Sequence, residues 1–532
     1  MKLVNNINKL TLTLAVLVVL AAGALGSYLI LHPTSDLLHT NLGKNLATSA
    51  LSTEVSLKDG DSFDLRAAGV LNELAGKVQP MLAYNGSIPG PTLRVKQGDT
   101  VHVTFSNKLP MDTTVHAHGL RQDVKMDGTP DMSQPPIKQN GSFTYDWTFP
   151  DAGMYWYHPH IREDVQQGSG LYGAIIVEPR VANYWPNADH DQTLILSDAL
   201  INAKTGELAP FSAAGADHTL MGRYGNILLV NGKQNWSTEV KAGTVQRFYV
   251  LNAAAARPFR FAFDGYKLKV VGSDNGRVGV EYWADAVTLS PGERVIVDVK
   301  FDKVGKVHLI NTPTEASAML GAINVVASTV PSANSSFEKL RTNNDVIAQI
   351  QDLTNKVSNG MRLKLDVQMA MGGGKDMGGM GGSSHMMPDG TMMDSSGRTI
   401  PAALAGIEWT DTMSGSGLEG RWQIIDQDSG KANDRVQWAF KRGEVVRITI
   451  NNSASSMHPM QHPIHIHGQR FAVGKMNGIT NANLEWKDTV TIPSGQTYEL
   501  LVAMDNPGEW MLHCHIAEHL ETGMAITFKV EE

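Results

Sequence analysis

Three twelve-residue segments of the chain share one alternation of apolar and polar positions. They are KQGDTVHVTFSN from Lys96, KAGTVQRFYVLN from Lys241 and KRGEVVRITINN from Lys441. Each segment begins Lys-x-Gly, continues with alternating β-forming residues and ends in Asn. Because successive side chains of a strand point to opposite faces, Val103 and Phe105 share one face, as do the matching residues of the other two segments. The pattern predicts three equivalent half-buried strands, each entered through a glycine turn.

A second motif is also repeated. DAGMYWYHPH from Asp151 aligns with NPGEWMLHCH from Asn506, and the two His-x-His pairs match position for position. The corresponding segment of the middle repeat, DKVGKVHLINT, has Ile310 and Thr312 where the histidines would stand. We therefore expect three copies of one β-rich domain, the middle one without metal ligands.

Domain boundaries follow from these repeats. Short strands, frequent Gly and Pro turns and few helical patterns predict an all-β fold of Greek-key sandwiches or barrels. The predicted domains are 55–180, 181–340 and 341–532, the last with an insert at about 361–413, and residues 1–54 form a leader and tether.

The leader has two interpretations. Lys2 and Lys9 precede an apolar run from about Leu10 to Leu31. This is typical of a secretory signal, with small residues near Ala24, and equally of an uncleaved membrane anchor of about 20 residues. Both interpretations place the main body outside the cytoplasm, in the periplasm or cell envelope, and limit any membrane contact to this segment.

Composition excludes some classes of function. The chain has 532 residues, 42% hydrophobic and 18% charged, with a net charge of −8. No basic cluster indicates nucleic-acid binding. The single cysteine, Cys514, cannot form an internal disulfide, so it is either an inert buried residue or a metal ligand.

The histidines are strongly clustered. Ten of the 18 lie in four short motifs, VHAHGL, WYHPHI, HPIHIHG and HCHIAEHLETGM. On a strand, the two histidines of His-x-His face the same way, so four such pairs from two domains predict a cage of eight imidazoles. In the last motif Cys514 points away from His513 and His515 and serves a different metal from theirs.

The last motif, together with His462 of HPIHIHG, also predicts a blue-copper site. A thiolate from Cys514, imidazoles from His462 and His519 and a weak thioether from Met524 are the ligands of such a site. Zinc is the chemical alternative, but four tetrahedral ligands satisfy zinc, and a zinc site does not account for eight further histidines.

From about residue 55 to the end, these motifs resemble those of the multicopper oxidase family in its form with three cupredoxin domains. The resemblance implies four copper ions: a type 1 site at His462, Cys514, His519 and Met524; a type 2 site at His116 and His465; and a type 3 pair at His118, His158, His160, His467, His513 and His515. It also implies that electrons pass from a reductant through Cys514 to His513 and His515, and that dioxygen is reduced by four electrons to water.

Proton supply is less regular than in the family. Asp127 falls where relatives often have a carboxylate near the cluster, and it is equally well interpreted as a turn residue before Gly128. Many relatives have an acid directly after the last type 1 histidine, but here Leu520 follows, flanked by Glu518 and Glu521. Ala117 replaces the tryptophan that relatives have between the first two histidines.

Ten of the 24 methionines lie between residues 361 and 413, within a stretch rich in Gly and Ser. A plain flexible linker has no use for so many thioethers, and soft sulfur favours Cu(I). We expect this insert to bind additional Cu(I), with His385 as a further ligand, as in relatives that resemble copper-efflux oxidases. Met457 and Met460, just before His462, either form a metal path or simply pack.

Three functions are compatible with these residues. The first is an oxidoreductase that oxidises Cu(I) with dioxygen, the second a laccase-like oxidase of small phenols with the same copper centres, and the third a copper-free cupredoxin scaffold. The complete ligand set favours the first two, and the methionines favour Cu(I) as the reductant.

Overall fold

The computed structural model describes residues 45–369 and 404–532, apart from 214, 315, 330–335 and 414–417, together with Leu38, Leu42 and three two-residue strands between 385 and 400. The predicted leader at 10–31 and most of the methionine-rich insert lie outside the described residues. Within the part of the chain that is described, no helix has both the length and the apolar character needed to cross a bilayer.

The described residues form three pairs of sheets, here named the first, middle and third pairs. The first pair contains β1 (Ala47–Thr48), β2 (Glu54–Ser56), β3 (Ser62–Leu74), β4 (Lys77–Tyr84), β5 (Thr92–Lys96), β6 (Thr100–Asn107), β7 (His116–His118), β8 (Ser142–Thr148), β9 (Gly153–His158) and β10 (Gly173–Glu178). The middle pair contains β11 (His190–Ala199), β12 (Ile227–Val230), β13 (Trp236–Lys241), β14 (Val245–Asn252), β15 (Phe259–Phe263), β16 (Leu268–Ser273), β17 (Gly276–Ala284), β18 (Val287–Leu289), β19 (Arg294–Lys300), β20 (Gly305–Asn311) and β21 (Ala318–Val326).

The third pair and the helices complete the fold. The third pair contains β22 (Val357–Met369), β26 (Gly420–Asp426), β27 (Gln437–Lys441), β28 (Val445–Asn452), β29 (His462–Ile466), β30 (Phe471–Met476), β31 (Ile479–Thr480), β32 (Thr489–Ile492), β33 (Thr497–Ala503), β34 (Gly508–Cys514) and β35 (Ala525–Glu531). Strands β23 (His385–Met386), β24 (Met392–Met393) and β25 (Thr399–Ile400) form a small separate sheet. The structure also describes three α-helices, α1 (Glu163–Gln166), α2 (Asn344–Lys356) and α3 (Ala517–Glu521), and short 3-10 turns at Val124–Met126 and Asn433–Arg435.

The three pairs repeat one topology. In one sheet of each pair, the predicted repeat strand (β6, β14 or β28) lies between a parallel and an antiparallel neighbour: β3 and β8, β11 and β19, or β22 and β33. In the other sheet of each pair, one strand again lies between a parallel and an antiparallel neighbour. In the first pair this strand is β10, which is parallel to β5 and antiparallel to β9. The predicted all-β, cupredoxin-like fold is confirmed. The boundaries near residues 180 and 340 stay a prediction.

The asparagine that ends each repeated segment has a structural role. The Asn107 amide donates to the carbonyls of Met111 and Ile137, and Asn252 and Asn452 each donate to two carbonyls in the corresponding loops. A buried amide that satisfies two loop carbonyls fixes the chain as it crosses between the two sheets. In the first and third pairs this crossing leads to the strand with the first histidines.

Apolar residues fill the space between the sheets. Val103, Phe105, Phe248, Val250, Ile448 and Ile450 are all buried, as the alternation predicts. In the middle pair, β15 carries Phe259, Phe261 and Phe263 at the place of the histidine strands β7 and β29, and all three are buried. The middle pair therefore has a phenylalanine core at the place where the other two pairs meet through imidazoles.

The edges of the predicted insert contain regular structure. Residues 361–369 belong to β22, where they pair with both β26 and β28. Near the C-terminal edge of the predicted insert, Ala405, Ile407 and Trp409 are buried. The glycine-rich part that the structure does not describe therefore lies within 370–403, inside the predicted 361–413.

Candidate metal centre

A thiol and two imidazoles meet near the C-terminus of the chain. Cys514 ends β34, His462 begins the neighbouring strand β29, and His519 lies on α3. The Cys514 Sγ atom is 3.5 Å from Nδ1 of His462 and 3.5 Å from Nδ1 of His519. All three side chains are fully buried. These three donor atoms have the spacing and types of a soft metal site.

Met524 lies beside this group. The Cys514 amide donates to the Met524 carbonyl at 3.1 Å, and the Met524 amide donates to the His519 carbonyl at 3.0 Å. Its side chain is fully buried. The backbone of the turn after α3 therefore places residue Met524 beside residues Cys514 and His519, and its role as a ligand stays a prediction.

Eight further histidines converge between the first and third pairs of sheets. In-register pairing brings His116 opposite His158 and His465 opposite His513. Their donor atoms fall into three groups with mutual distances within 4.8 Å: His116, His118 and His465; His118, His158 and His515; and His160, His467 and His513. The structure thus brings together all eight imidazoles predicted to form a cage.

The two histidines beside Cys514 belong to different groups. His513 Nε2 is 3.0 Å from His467 Nε2, while His515 Nε2 is 3.2 Å from His118 Nδ1. Cys514 itself faces His462 and His519. One three-residue segment therefore contributes to three groups of donor atoms.

Hydrogen bonds fix which ring nitrogen faces the cage. Nδ1 of five histidines lies 2.7–2.9 Å from a carbonyl or carboxylate oxygen, to which it donates: His116 to the Asp127 carbonyl, His158 to Pro159, His465 to Asp488, His513 to Cys514 and His467 to the Asp127 carboxylate. His118 is reversed, and its Nε2 donates to Asp488 Oδ1 at 3.0 Å. A donor bond on one nitrogen leaves the lone pair of the other free for a metal.

The inward nitrogens fit metal ions. Nε2 of His116, His158, His160 and His465 is buried and has no hydrogen-bond partner among the described residues. Burial lowers the pKa of His462 and of His515 to about 3, so both rings are neutral at neutral pH. Burial also raises the pKa of the Cys514 thiol, so a stable thiolate there requires a bound cation. Neutral imidazoles and one thiol are the donor set of copper.

Asp127 lies against the cage, on the side of His116 and His467. Its Oδ2 accepts a hydrogen bond from His467 Nδ1 at 2.9 Å and another from the Thr129 hydroxyl at 2.5 Å. Burial alone would raise the pKa of Asp127, but the imidazoles of His116 and His467 outweigh burial and hold it well below its usual range. The residue is therefore a buried carboxylate as well as a turn residue, and its backbone carbonyl also orients His116.

Asp488 is a cage residue that the sequence analysis missed. Its carboxylate accepts from His118, and its carbonyl accepts from His465. Arg294 of the middle pair donates to both Asp488 oxygens, at 2.6 and 2.5 Å, and all these side chains are fully buried. Nothing in the spacing of the motifs marks Asp488. Its position follows from the pairing of β32 with β29, which sets Thr489 opposite His465.

Gly119 is required by this ion pair. It has φ +86°, and a Cβ there would lie 2.9 Å from Arg294 Nη2 and would overlap the Asp488 carboxylate. Only glycine allows both the left-handed backbone and the close approach of the charged pair. Gly119, the glycine of the HAHG motif, thus leaves room for the Asp488 carboxylate that orients His118, the histidine before it.

A cluster of carboxylates lies on the other side of the cage. Glu163 is fully buried, with one oxygen 3.5 Å from His160 Nδ1 and the other 3.9 Å from His158 Nδ1. The backbone amide of Glu163 donates to the Glu521 carboxylate at 2.9 Å. Burial raises the pKa of Glu163 well above its usual range and raises that of Glu518 to about 8. Glu163 was missed in the sequence, although it follows the HPH motif by three residues.

Comparisons with known proteins agree with this geometry. Sequence models of multicopper oxidases match residues 68–182, 181–328 and 409–532. Laccase-1 of Botryotinia fuckeliana is 28% identical over 479 residues, covering 86% of this chain and 80% of that protein. Copper resistance protein A of Escherichia coli is 24% identical over 609 residues, covering 91% and 95%.

A solved structure gives the same result. The crystal structure of a multicopper oxidase from Pseudomonas thermotolerans superposes with a TM-score of 0.66 at 25% identity, covering 90% of this chain and all of that one. Multicopper oxidases are oxidoreductases with copper cofactors, and the buried thiol and imidazoles described above fit copper. The chain therefore belongs to the multicopper oxidase family.

Proposed function

We propose that this protein oxidises Cu(I) one electron at a time and passes the electrons to dioxygen, which is reduced to water. The observation that carries the proposal is the position of Cys514. Its thiol faces His462 and His519, while its two chain neighbours, His513 and His515, face the imidazole cage. An electron taken from a reductant at the Cys514 group can therefore reach dioxygen in the imidazole cage through a few covalent bonds of the chain.

The proposed assignment of four copper ions comes from the resemblance to the family, and the grouping of the histidine and cysteine donor atoms supports it. We assign a type 1 copper to His462, Cys514, His519 and Met524; a type 2 copper to His116 and His465; and a type 3 pair to His118, His158 and His515 and to His160, His467 and His513. Copper, when bound, supplies one-electron redox chemistry and a place for dioxygen to be reduced. Burial keeps the imidazole rings neutral. The hydrogen bonds that the rings donate to Asp127 and Asp488 turn their free nitrogens toward the inside of the cage.

Protons reach the reaction through side chains of the chain. Reduction of dioxygen to water consumes one proton for each electron, so acids must stand near the cage. We propose that Asp127 Oδ2 relays protons on the side of His467 and that the Glu163 carboxyl holds a proton beside His160. In this interpretation Glu163, with Glu518 and Glu521 behind it, replaces the acid that Leu520 does not provide.

The choice of Cu(I) as substrate rests on soft ligands. Ten of the 24 methionines fall between residues 361 and 413, and thioether sulfur prefers Cu(I) to harder cations. One relative is named a copper resistance protein. We further propose that the insert binds Cu(I). We also propose that the apolar run at 10–31 directs the enzyme out of the cytoplasm, to the compartment in which it oxidises Cu(I).

A second candidate is a laccase-like phenol oxidase with the same copper sites, which the relative named Laccase-1 favours. The two functions are separated by initial rates of dioxygen uptake by copper-loaded protein with Cu(I) and with 2,6-dimethoxyphenol at matched concentrations. We expect faster uptake with Cu(I), and the Cys514→Ser variant corrects for spontaneous oxidation. Faster uptake with the phenol supports the second candidate, and no uptake with either revives the scaffold alternative.

A further inference from the structure

Two soft donor atoms meet outside the copper cage and the Cys514 group. His458 Nε2 lies 2.8 Å from the Met221 sulfur, although the two residues are 237 positions apart in the chain. Met221 comes from the middle pair of sheets and is 2% exposed, whereas His458 is only partly buried. A thioether and a neutral imidazole in contact at an accessible place are a ligand pair that suits Cu(I).

The surrounding charge favours a cation. The Asp411 carboxylate lies 3.7 Å from His218 Nδ1. Burial lowers the pKa of His458, and the negative charge of Asp411 partly opposes this effect. The amide of Met413 donates to Asp411 Oδ1 at 2.9 Å, which fixes the carboxylate. Met457, next to His458, is 55% exposed, while Met460 is buried in the core of the third pair. The site therefore opens toward solvent on the histidine side, and Met460 only packs.

The loop that carries Met221 is rigidly placed. The Gly222 amide donates to the His218 carbonyl at 2.7 Å, and the Trp422 indole donates to the Thr219 carbonyl at 3.0 Å. Trp422 is 1% exposed. A ligand atom on such a loop is held in position before a metal arrives, which reduces the entropy lost on binding.

Met221 and His458 are also linked to the Cys514 group through neighbouring residues. His519 Nε2 donates to the Leu220 carbonyl at 3.2 Å, one residue from Met221, and His458 precedes His462 by four residues. The Trp422 ring lies among the three histidines, with ring centroids 6.1 Å from His458, 4.4 Å from His462 and 4.7 Å from His519. An electron released at Met221 and His458 thus has continuous contacts to both imidazoles beside Cys514.

We propose that the Met221 sulfur and His458 Nε2, assisted by the Asp411 carboxylate, form the docking site from which substrate Cu(I) is oxidised. The inference rests on the proposed function, which it makes specific. Four Cu(I) ions each lose one electron in succession and leave as Cu(II), and one dioxygen takes up four electrons and four protons to give two waters. Cu(II) prefers nitrogen and oxygen to thioether sulfur, so oxidation weakens the bond to Met221 and favours release.

The first test is kinetic. Met221→Leu keeps the volume and apolar character of the side chain but removes the sulfur, and His458→Gln removes the imidazole. We expect each variant of the copper-loaded enzyme to raise KM for Cu(I) at least about 10-fold, the lower range for damage to a metal site. Kinetics with 2,6-dimethoxyphenol and the visible copper–thiolate absorption should not change. Met319→Leu, an exposed methionine of the middle pair, is the matched control.

The second test does not depend on turnover. Ag(I) is a redox-inert substitute for Cu(I), and crystals of the copper-loaded enzyme soaked in Ag(I) should show an anomalous peak between Met221 and His458. The peak should be absent from Met221→Leu crystals and present in Met319→Leu crystals. A wild-type crystal without a peak at this place overturns the site.

The two proposals fail in different ways. Wild-type enzyme that oxidises the phenol but not Cu(I) contradicts the proposed substrate. Wild-type enzyme that oxidises Cu(I), with unchanged KM in both the Met221→Leu and His458→Gln variants, contradicts the docking site alone.

Discussion

Arg294 gives the middle pair of sheets a direct part in the copper cage. Its guanidinium donates to both oxygens of Asp488, to the Met154 carbonyl at 2.9 Å and to the Gly292 carbonyl at 3.0 Å, and it is fully buried. Asp488 in turn accepts from His118. Replacement of Arg294 by Met therefore leaves a buried carboxylate without its counter-charge beside a cage imidazole.

The size of the effect follows from these contacts. Removal of one partner of a buried ion pair costs about 3–5 kcal/mol, and each of the two abandoned carbonyls adds about 1 kcal/mol. For a domain of this size, 1 kcal/mol corresponds to about 2–4 °C in Tm. The total of about 5–7 kcal/mol predicts that Arg294→Met lowers the apparent Tm of the metal-free protein by roughly 10–28 °C.

The assay combines unfolding with metal content. Thermal unfolding gives the stability, and copper analysis with the visible copper–thiolate absorption separates the cage from the Cys514 site. Arg294→Met should lose copper from the cage but keep the thiolate absorption, since His462, Cys514 and His519 do not contact Arg294. Arg442→Met is the matched control, because Arg442 forms an exposed pair with Glu532 whose loss costs little.

A double-mutant cycle refines the test. With Asp488→Asn present, the loss of Arg294 no longer leaves an uncompensated charge, so the two substitutions should be non-additive by roughly 2–3 kcal/mol. The proposed role of Arg294 is wrong if Arg294→Met is no less stable than Arg442→Met, or if the substitutions at Arg294 and Asp488 are additive.

Three further predictions concern single residues. Cys514→Ser should abolish the visible copper–thiolate absorption and dioxygen uptake while the fold, followed by circular dichroism, persists; retained absorption would contradict the assigned ligand. Burial raises the pKa of Glu518 from 4.5 to about 8, so the metal-free folded state holds a proton that the unfolded chain releases. The stability of the metal-free protein should therefore fall as pH rises from about 4.5 to 8. Glu518→Gln should reduce the decrease in Tm across this pH range, and an unchanged decrease would refute the role of Glu518. Gly128, at φ +85°, packs against the Val115 carbonyl, so Gly128→Ala should displace Asp127 and lower copper content, whereas Gly243→Ala, also at positive φ but open to solvent, should keep it.

Much of the architecture could be predicted from short-range patterns. Alternation identified the buried faces of the repeat strands, and His-x-His spacing identified the imidazoles that face one site, because both depend on the geometry of a single strand. Cys514 was likewise assigned to a different site from its neighbours by strand geometry. These signals are local, so one sequence is sufficient to see them.

Unlike Glu163, which follows the HPH motif by three residues, the other missed residues depend on contacts between segments distant in the chain. Arg294 and Asp488 meet only after the middle and third pairs of sheets are assembled, and Met221 meets His458 across 237 positions. Strand periodicity does not specify which strands become neighbours. The sequence alone therefore pointed to Asp127 but not to Arg294 and Asp488, which meet only in the folded chain.

The stoichiometry of Cu(I) oxidation tests most directly whether this protein couples Cu(I) oxidation to the four-electron reduction of dioxygen. Copper-loaded enzyme is mixed with Cu(I) under limiting dioxygen, and Cu(II) formed, dioxygen consumed and hydrogen peroxide released are measured together, with Cys514→Ser as the background. We expect four Cu(I) ions to be oxidised for each dioxygen consumed, with no peroxide above background. Two Cu(I) for each dioxygen with release of peroxide, or no oxidation beyond that of Cys514→Ser, would contradict this expectation.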